Sequence, residues 1–194
     1  MRHQEVILRA REALAAGDRS GLREITSKHV HLTETDAEFA LLRASAVITT
    51  EPAEAARLAK HAACIAPDNP ETLTEAAGIL LHTGDPQDAE RCAARAALLA
   101  SDDFAMYSDL AYVEGAIADL DRRDAEAERK FREAVAAEPE HPVFVRRLAV
   151  FLASRGRMSE AIAFLTDTLV RSPNNSAARR TKADLEAIQR ESGG

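Results

Sequence analysis

The chain has no tryptophan, two cysteines, and aromatic residues at only 4% of its 194 positions. Cys64 and Cys92 are too few for the disulfide framework of a small secreted domain, and both read as buried free thiols. Long apolar runs are missing. The longest, Ala76 to Leu81 and Leu148 to Ala153, fall far short of the ~18–20 residues of a membrane helix, so no membrane insertion is expected. The N-terminal stretch scatters charges through its length and has no apolar core, so it does not read as a signal peptide; cytoplasm is the expected location. Positive charge is also short. A net charge of −7 and a pI near 5.4 disfavour a nucleic-acid partner. No alternating Val/Ile/Thr run bounded by turn residues marks a strand. What is present is alanine, the best helix former, small enough to let helices approach closely. With 46% hydrophobic and 29% charged residues the chain is globular rather than disordered.

Residues 142–175, PVFVRRLAVFLASRGRMSEAIAFLTDTLVRSPNN, read as two amphipathic halves around Arg155-Gly156-Arg157. Val145, Leu148, Ala149 and Leu152 recur at i, i+3, i+4 and i+7, one stripe of a helix. Ala161, Leu165, Thr168 and Leu169 form a second stripe, and Pro173 ends it. A hairpin this short cannot bury both stripes alone, so it needs neighbours of the same kind.

The neighbours are there. Residues 70–103 place Gly84, Ala89 and Ala96 where Gly156, Ala161 and Thr168 stand, and add Leu73, Ala77 and Leu80 to the first stripe. Residues 36–69 place Ala55, Ala62 and Pro67 on Ala161, Thr168 and Pro173. In this pattern the chain resembles the tetratricopeptide repeat family, departing from it at Thr168 and at Ser101, where a closing proline is usual. The resemblance implies an all-α, right-handed α-solenoid of about five helix hairpins plus a C-terminal capping helix, in one domain over 1–194.

Punctuation supports the register. Asn69-Pro70 and Asp85-Pro86 each put an N-cap acceptor before a proline at the first helical position, and Pro52 begins a helix in the same way. The first unit, about 3–35, is degenerate: helices over Glu5–Ala16 and Ser20–Leu32 flank Gly17-Asp18, and Arg9 takes a leucine position. The fourth, 104–141, is four residues longer than its neighbours, and the extra turn is expected near Gly115–Arg123. Its charged run DRRDAEAERKFRE reads as a solvated face with i,i+4 pairs. Residues 176–192 form a cap with Ala178, Leu185 and Ile188 inward, and the array reads as complete.

No motif carries catalysis. GxSxG, GxxxxGK[ST] and GxGxxG are all missing, so neither a nucleophile elbow nor a phosphate-cradling loop is signalled. His29 and His31, two apart on a helix, would point roughly opposite ways; His61 and Cys64 at i, i+3 make half a zinc site at most, and Cys64 falls among packed repeat positions. The expectation is a protein that is not an enzyme and has no cofactor or metal.

The family resemblance implies instead that first helices line a groove for a protein or peptide partner. The positions that packing does not need are Leu41, Ala44 and Ile48 in the second unit, and Glu75 and His82 in the third. Asp109 and Tyr112 follow in the fourth, Arg146 and Arg147 in the fifth, and Arg180 in the cap. In order these give an apolar end, an acidic middle and a basic end. They do not match the Lys/Asn/Arg clamp with which some family members hold acidic chaperone tails. The apolar surface of the second unit also suits a homo-oligomer. The leading reading is a scaffold or adaptor. The alternatives are a dedicated chaperone or assembly factor for a secretion or envelope complex, and a regulatory partner of an enzyme. Packing is open to a direct check: Ala161→Leu is expected to overpack a helix contact and lower the unfolding free energy by about 1–3 kcal/mol in chemical denaturation.

Overall fold

A computed structural model of the chain describes residues 3–99 and 107–192. Among the described residues it is all-α: eleven α-helices, one 3-10 turn and no strand. Two compact units divide the chain, Met1–Phe104 and Ala105–Gly194.

The first unit holds three hairpins: α1 (His3–Ala15) with α2 (Arg19–Lys28), α3 (Ala37–Val47) with α4 (Pro52–Ile65), and α5 (Pro70–Thr83) with α6 (Pro86–Leu99). The second holds α7 (Tyr107–Leu120) with α8 (Asp124–Ala137), α9 (Pro142–Ser154) with α10 (Met158–Arg171), and the lone α11 (Ser176–Ser192). The packing rule is the same in both. Each helix packs on its hairpin partner, and the hairpin's second helix packs on the next first helix (α2 on α3, α4 on α5, α8 on α9, α10 on α11). First helices also touch in series, α1 with α3, α3 with α5, and α9 with α11. Within each unit the hairpins therefore stack as in an α-solenoid.

Local chemistry sets the helix ends. Asp18, Asp36, Asn69 and Asn175 each accept a backbone N–H three residues on, at 2.8, 2.8, 3.0 and 3.0 Å, satisfying an amide that has no partner inside the helix. Asn175 also donates to the Glu140 carbonyl at 3.1 Å, so the start of α11 is tied to the loop before α9. The α3–α4 turn has no glycine; Arg23, reaching over from α2, bonds Thr50 at 2.6 Å and the Ala46 carbonyl at 3.4 Å.

Small residues fill the contacts within hairpins. Ala55, Ala62, Ala89, Ala96, Ala127, Ala134 and Ala161 are all fully buried, and Val145, Leu148, Ala149, Leu152 and Leu165 complete the core of the last hairpin. Thr168, the departure from alanine, is buried too; its hydroxyl donates to the Phe164 carbonyl at 2.9 Å, so no polar group is left unpaired. In the first hairpin Val6, Ala10, Leu22 and Thr26 take the equivalent places.

Four sequence expectations are corrected here. The second helix of the first unit stops at Lys28, and Val30–Glu34 is a 3-10 turn that brings Leu32 against Val6 and Phe39. Because that stretch is not an α-helix, His29 and His31 face each other, ring centroids 6.0 Å apart and edge-on. Cys64 is exposed and Cys92 half-buried, since both project from the outer side of second helices. In the cap Ala178, Thr181 and Leu185 are buried, but Ile188, expected inward, is 48% exposed.

The fourth hairpin contains no extra turn over 115–123. Helix α7 has 14 residues, as α5 has, and Arg122 adopts φ +61 five residues before Ala127. Gly84 and Gly156 stand at φ +84 and +77 five residues before Ala89 and Ala161. Arg122 therefore occupies the glycine slot, and the four added residues precede α7. Phe104, the expected start of that helix, and Ala105 lie outside the described residues. Glycine itself is needed at Gly115, where a Cβ would lie 2.8 Å from the Phe131 ring.

Left-handed backbone costs a side chain about 1–2 kcal/mol, partly offset by the extra freedom of glycine in the unfolded chain. Arg122→Gly is therefore expected to raise the unfolding free energy by about 0.5–1 kcal/mol. Gly115→Ala is expected to lower it by about 1–2 kcal/mol, overpacking outweighing helix propensity. Denaturant titration followed by circular dichroism measures both.

Candidate functional site

In the first unit the expected apolar surface is closed. Leu41 is 1% exposed and Ala44 0%, because α3 is flanked by both α1 and α5 as well as by its own partner α4. Neither side chain is open to a ligand or to a second copy of the chain. Ile48, the C-cap of α3, is half-buried. Glu75 and His82 are exposed on α5. Arg11 of α1 bonds Glu38, which raises its pKa further, and Glu75 and Glu71 add smaller attractions. A cleft of about 680 Å³ runs beside His3, Leu8 and Arg11. Its polar groups are matched to each other, His3 with Asp36 at 2.8 Å and Arg11 with Glu38.

The second unit differs. Tyr112, Val143, Arg146, Arg147 and Val150 line one small cleft of about 140 Å³. Val143 and Val150, each about one turn from Arg146 on α9, are 48% and 39% exposed. Tyr112 is half-buried, its ring centroid 5.5 Å from that of Phe144 and 6.3 Å from that of Phe131. It both packs and faces the cleft.

The two adjacent arginines have different roles. Arg147 donates to Asp119 of α7 at 2.9 Å and lies over the Phe131 ring, 5.2 Å from its centroid. Asp119 also accepts from Arg155 at 2.5 Å, and Arg155 reaches Asp124 at 2.7 Å while lying over Phe151. Arg147 is therefore a fastening between α7 and α9, which corrects its expected place as a free cation on the groove. Arg146 and Arg180 are both exposed, and neither side chain has a hydrogen bond or ion pair among the described residues.

The charged run 121–133 is more than a solvated face. Arg132–Glu128 and Arg129–Glu133 are i,i+4 pairs within α8, but Lys130 reaches Glu114 of α7 at 2.5 Å. Arg132 also reaches Glu160, and Arg157 grips Glu128 at 2.5 Å, linking α8 to α10. Arg157 first, then Arg132, holds the Glu128 carboxyl below its ordinary range, outweighing the effect of burial.

At the other edge Ser108 bonds Glu138, and His141 stacks on Phe144 with ring centroids 4.0 Å apart. Asp109 sits beside this group and keeps contact with solvent. Its carboxyl is raised above the ordinary range, first by desolvation and then by Glu138, with His141 opposing. Among the described residues no three His, Cys, Asp or Glu side chains gather as a metal site, and no helix is long and apolar enough to cross a membrane.

Asp119 and the contacts that join the Tyr112, Phe131, Phe144 and Phe151 rings escape a reading of the sequence alone. A signal exists for the first: Asp119 precedes Arg147 by 28 residues and Arg155 by 36, close to one repeat, as ties between neighbouring hairpins require.

Two stretches, residues 49–111 and 123–185, match the tetratricopeptide repeat, together more than half of the chain. Human tetratricopeptide repeat protein 7B is 36% identical over 94 residues, covering 48% of this chain and 11% of that protein. This chain therefore spans about a tenth of that relative's length. Among solved structures, TTC0263 of Thermus thermophilus, a thermophilic TPR protein, matches with a TM-score of 0.78 at 19% identity, over 95% of this chain and 98% of its own. YrrB, described as a TPR protein with an unusual peptide-binding site, matches with a TM-score of 0.56 at 17% identity, over 92% of this chain and 90% of its own.

A raised native carboxyl disfavours the fold once ionised. The penalty is absent below the unfolded-state pKa and sets in as pH rises through the native one. Asp109→Asn is therefore expected to increase stability near neutral pH and to have little effect below the ordinary carboxylate range, as urea unfolding at the two pH values would show.

Proposed function

The chain belongs to the tetratricopeptide repeat family, and from that we propose that it is a non-catalytic scaffold or adaptor which holds a peptide or helical segment of a protein partner on the first-helix face of its second unit. A family of stacked hairpins supports protein–protein interaction in general. The observation that carries the narrower reading is the pair Arg146 and Arg180. Both are exposed and without an ion-pair partner among the described residues, in a unit where Arg147, Arg155 and Arg157 are each held by carboxylates. A guanidinium that stabilises nothing in its own fold is available to a carboxylate from elsewhere. The peptide-binding site named for YrrB is support by analogy of fold alone.

The test is selection of peptides on the intact chain from a displayed random library, followed by titration of the enriched sequences. Charge reversal at Arg146 and Arg180 together is expected to weaken them by roughly tenfold or more, because like charges at an interface cost several kcal/mol. Arg129→Glu, on α8, is expected to leave affinity unchanged. Equal binding by all three proteins would place the site elsewhere.

A further inference from the structure

His29 and His31, which an α-helix would set on nearly opposite sides, face each other in the structure. The cause is the backbone. An α-helix turns by about 100° per residue and so parts residues i and i+2 by about 160°, whereas a 3-10 helix parts them by about 120°. Helix α2 ends at Lys28, His29 caps it at φ −121, and the 3-10 turn Val30–Glu34 follows. The two imidazoles then stand with ring centroids 6.0 Å apart and planes at 62°.

The turn that carries them is fixed from several sides. The His29 carbonyl accepts the Leu32 N–H at 2.9 Å, and the Leu32 carbonyl accepts the Asp36 N–H at 3.0 Å. Leu32 packs against Val6 and Phe39, and Arg43 donates to buried Thr33 at 3.4 Å. The backbone between the histidines therefore keeps its shape with nothing bound, which lowers the cost of ordering a site. His29 is half-buried beside a cleft of about 270 Å³ between α1 and α2, and His31 is exposed. Lys28 is paired with Glu24 at 2.5 Å, and Arg9 also attracts that carboxylate, so the cations nearby are matched.

We propose that His29 and His31 form a two-histidine site for a divalent transition ion such as zinc, held by one ring nitrogen of each. With zinc about 2.0–2.1 Å from each nitrogen, two rings on one ion have centroids about 5–6 Å apart. The observed 6.0 Å lies at the upper end of that range. The last torsion of a histidine side chain is soft, so turning both ring edges inward moves no backbone. Among the described residues no group of three His, Cys, Asp or Glu forms a metal site, so water fills the other positions and the ion is exchangeable. Imidazole favours zinc and copper, whereas magnesium and calcium favour oxygen. The site stands in the first unit, and it holds or fails independently of the function proposed above.

The test is titration of zinc into the full, reduced chain by calorimetry, with the histidine ring signals followed by NMR. One equivalent is expected to shift the His29 and His31 rings together, and magnesium at equal concentration to shift neither. His29→Ala and His31→Ala are each expected to weaken zinc binding roughly tenfold or more, since even loss of an outer-shell partner costs a metal site that much. His82→Ala, exposed on α5, is expected to leave affinity unchanged. Circular dichroism checks the fold of each variant, and His31→Ala, at an exposed position, carries the test should His29→Ala unfold. Zinc that moves only one of the two rings, or binds the variants as tightly as the unaltered chain, overturns the site. No measurable binding, or one equivalent taken up at His61 and Cys64 instead, overturns it as well.

Discussion

How closely two helices can approach governs both units, and alanine sets that distance. Within each unit a second helix lies on two first helices at once, its partner and the next in line, as α2, α4, α8 and α10 do. The contacts are made by side chains of one methyl group, Ala55 and Ala62, Ala89 and Ala96, Ala127 and Ala134, Ala161, all fully buried. A larger side chain at any of them would have to displace a whole helix, because interiors are packed too densely to absorb it. Thr168 shows how the rule bends: its hydroxyl folds back onto its own helix, so the residue meets its neighbour much as an alanine with one more methyl would.

Small contacts hold helices close but say little about how one hairpin is aligned on the next. Charged groups supply that alignment. Lys60 reaches Asp85 and Asp88 across α4 and α6, Arg147 and Arg155 share Asp119, and Arg157 holds Glu128. These pairs are partly exposed, so each adds little to stability. Their value lies in geometry, since planar guanidinium forks are satisfied only in a narrow range of helix offsets. An acidic chain thus spends most of its arginine on itself. Arg146 and Arg180 stand apart from Arg171, Arg179 and Arg190, which bond backbone carbonyls, and share their lack of a side-chain partner among the described residues with Arg122.

The repeat was legible because its determinants are local and repeated: small residues at fixed spacing, proline after an N-cap acceptor, glycine in the left-handed turn. The surface was less so. Leu41 and Ala44 occupy groove positions by register, yet they are buried, because burial there depends on how tightly α1 and α5 close on α3. Arg146 and Arg147 look equivalent as neighbours, but a step of one residue turns the side chain by about 100° around the helix and separates a tie from a free group. In the fourth hairpin Arg122 occupies the left-handed slot that glycine fills in the third and fifth, and without that glycine the sequence does not mark where the turn lies.

The placement of Tyr112 has one more consequence, and it is optical. With no tryptophan and two tyrosines in the chain, near-ultraviolet signals come from very few chromophores. Tyr112 touches two phenylalanine rings and borders the same cleft as Arg146. Its ring absorbs and emits where phenylalanine scarcely contributes. The cleft of the second unit therefore carries its own chromophore, and any occupant of it would be visible in an unlabelled protein.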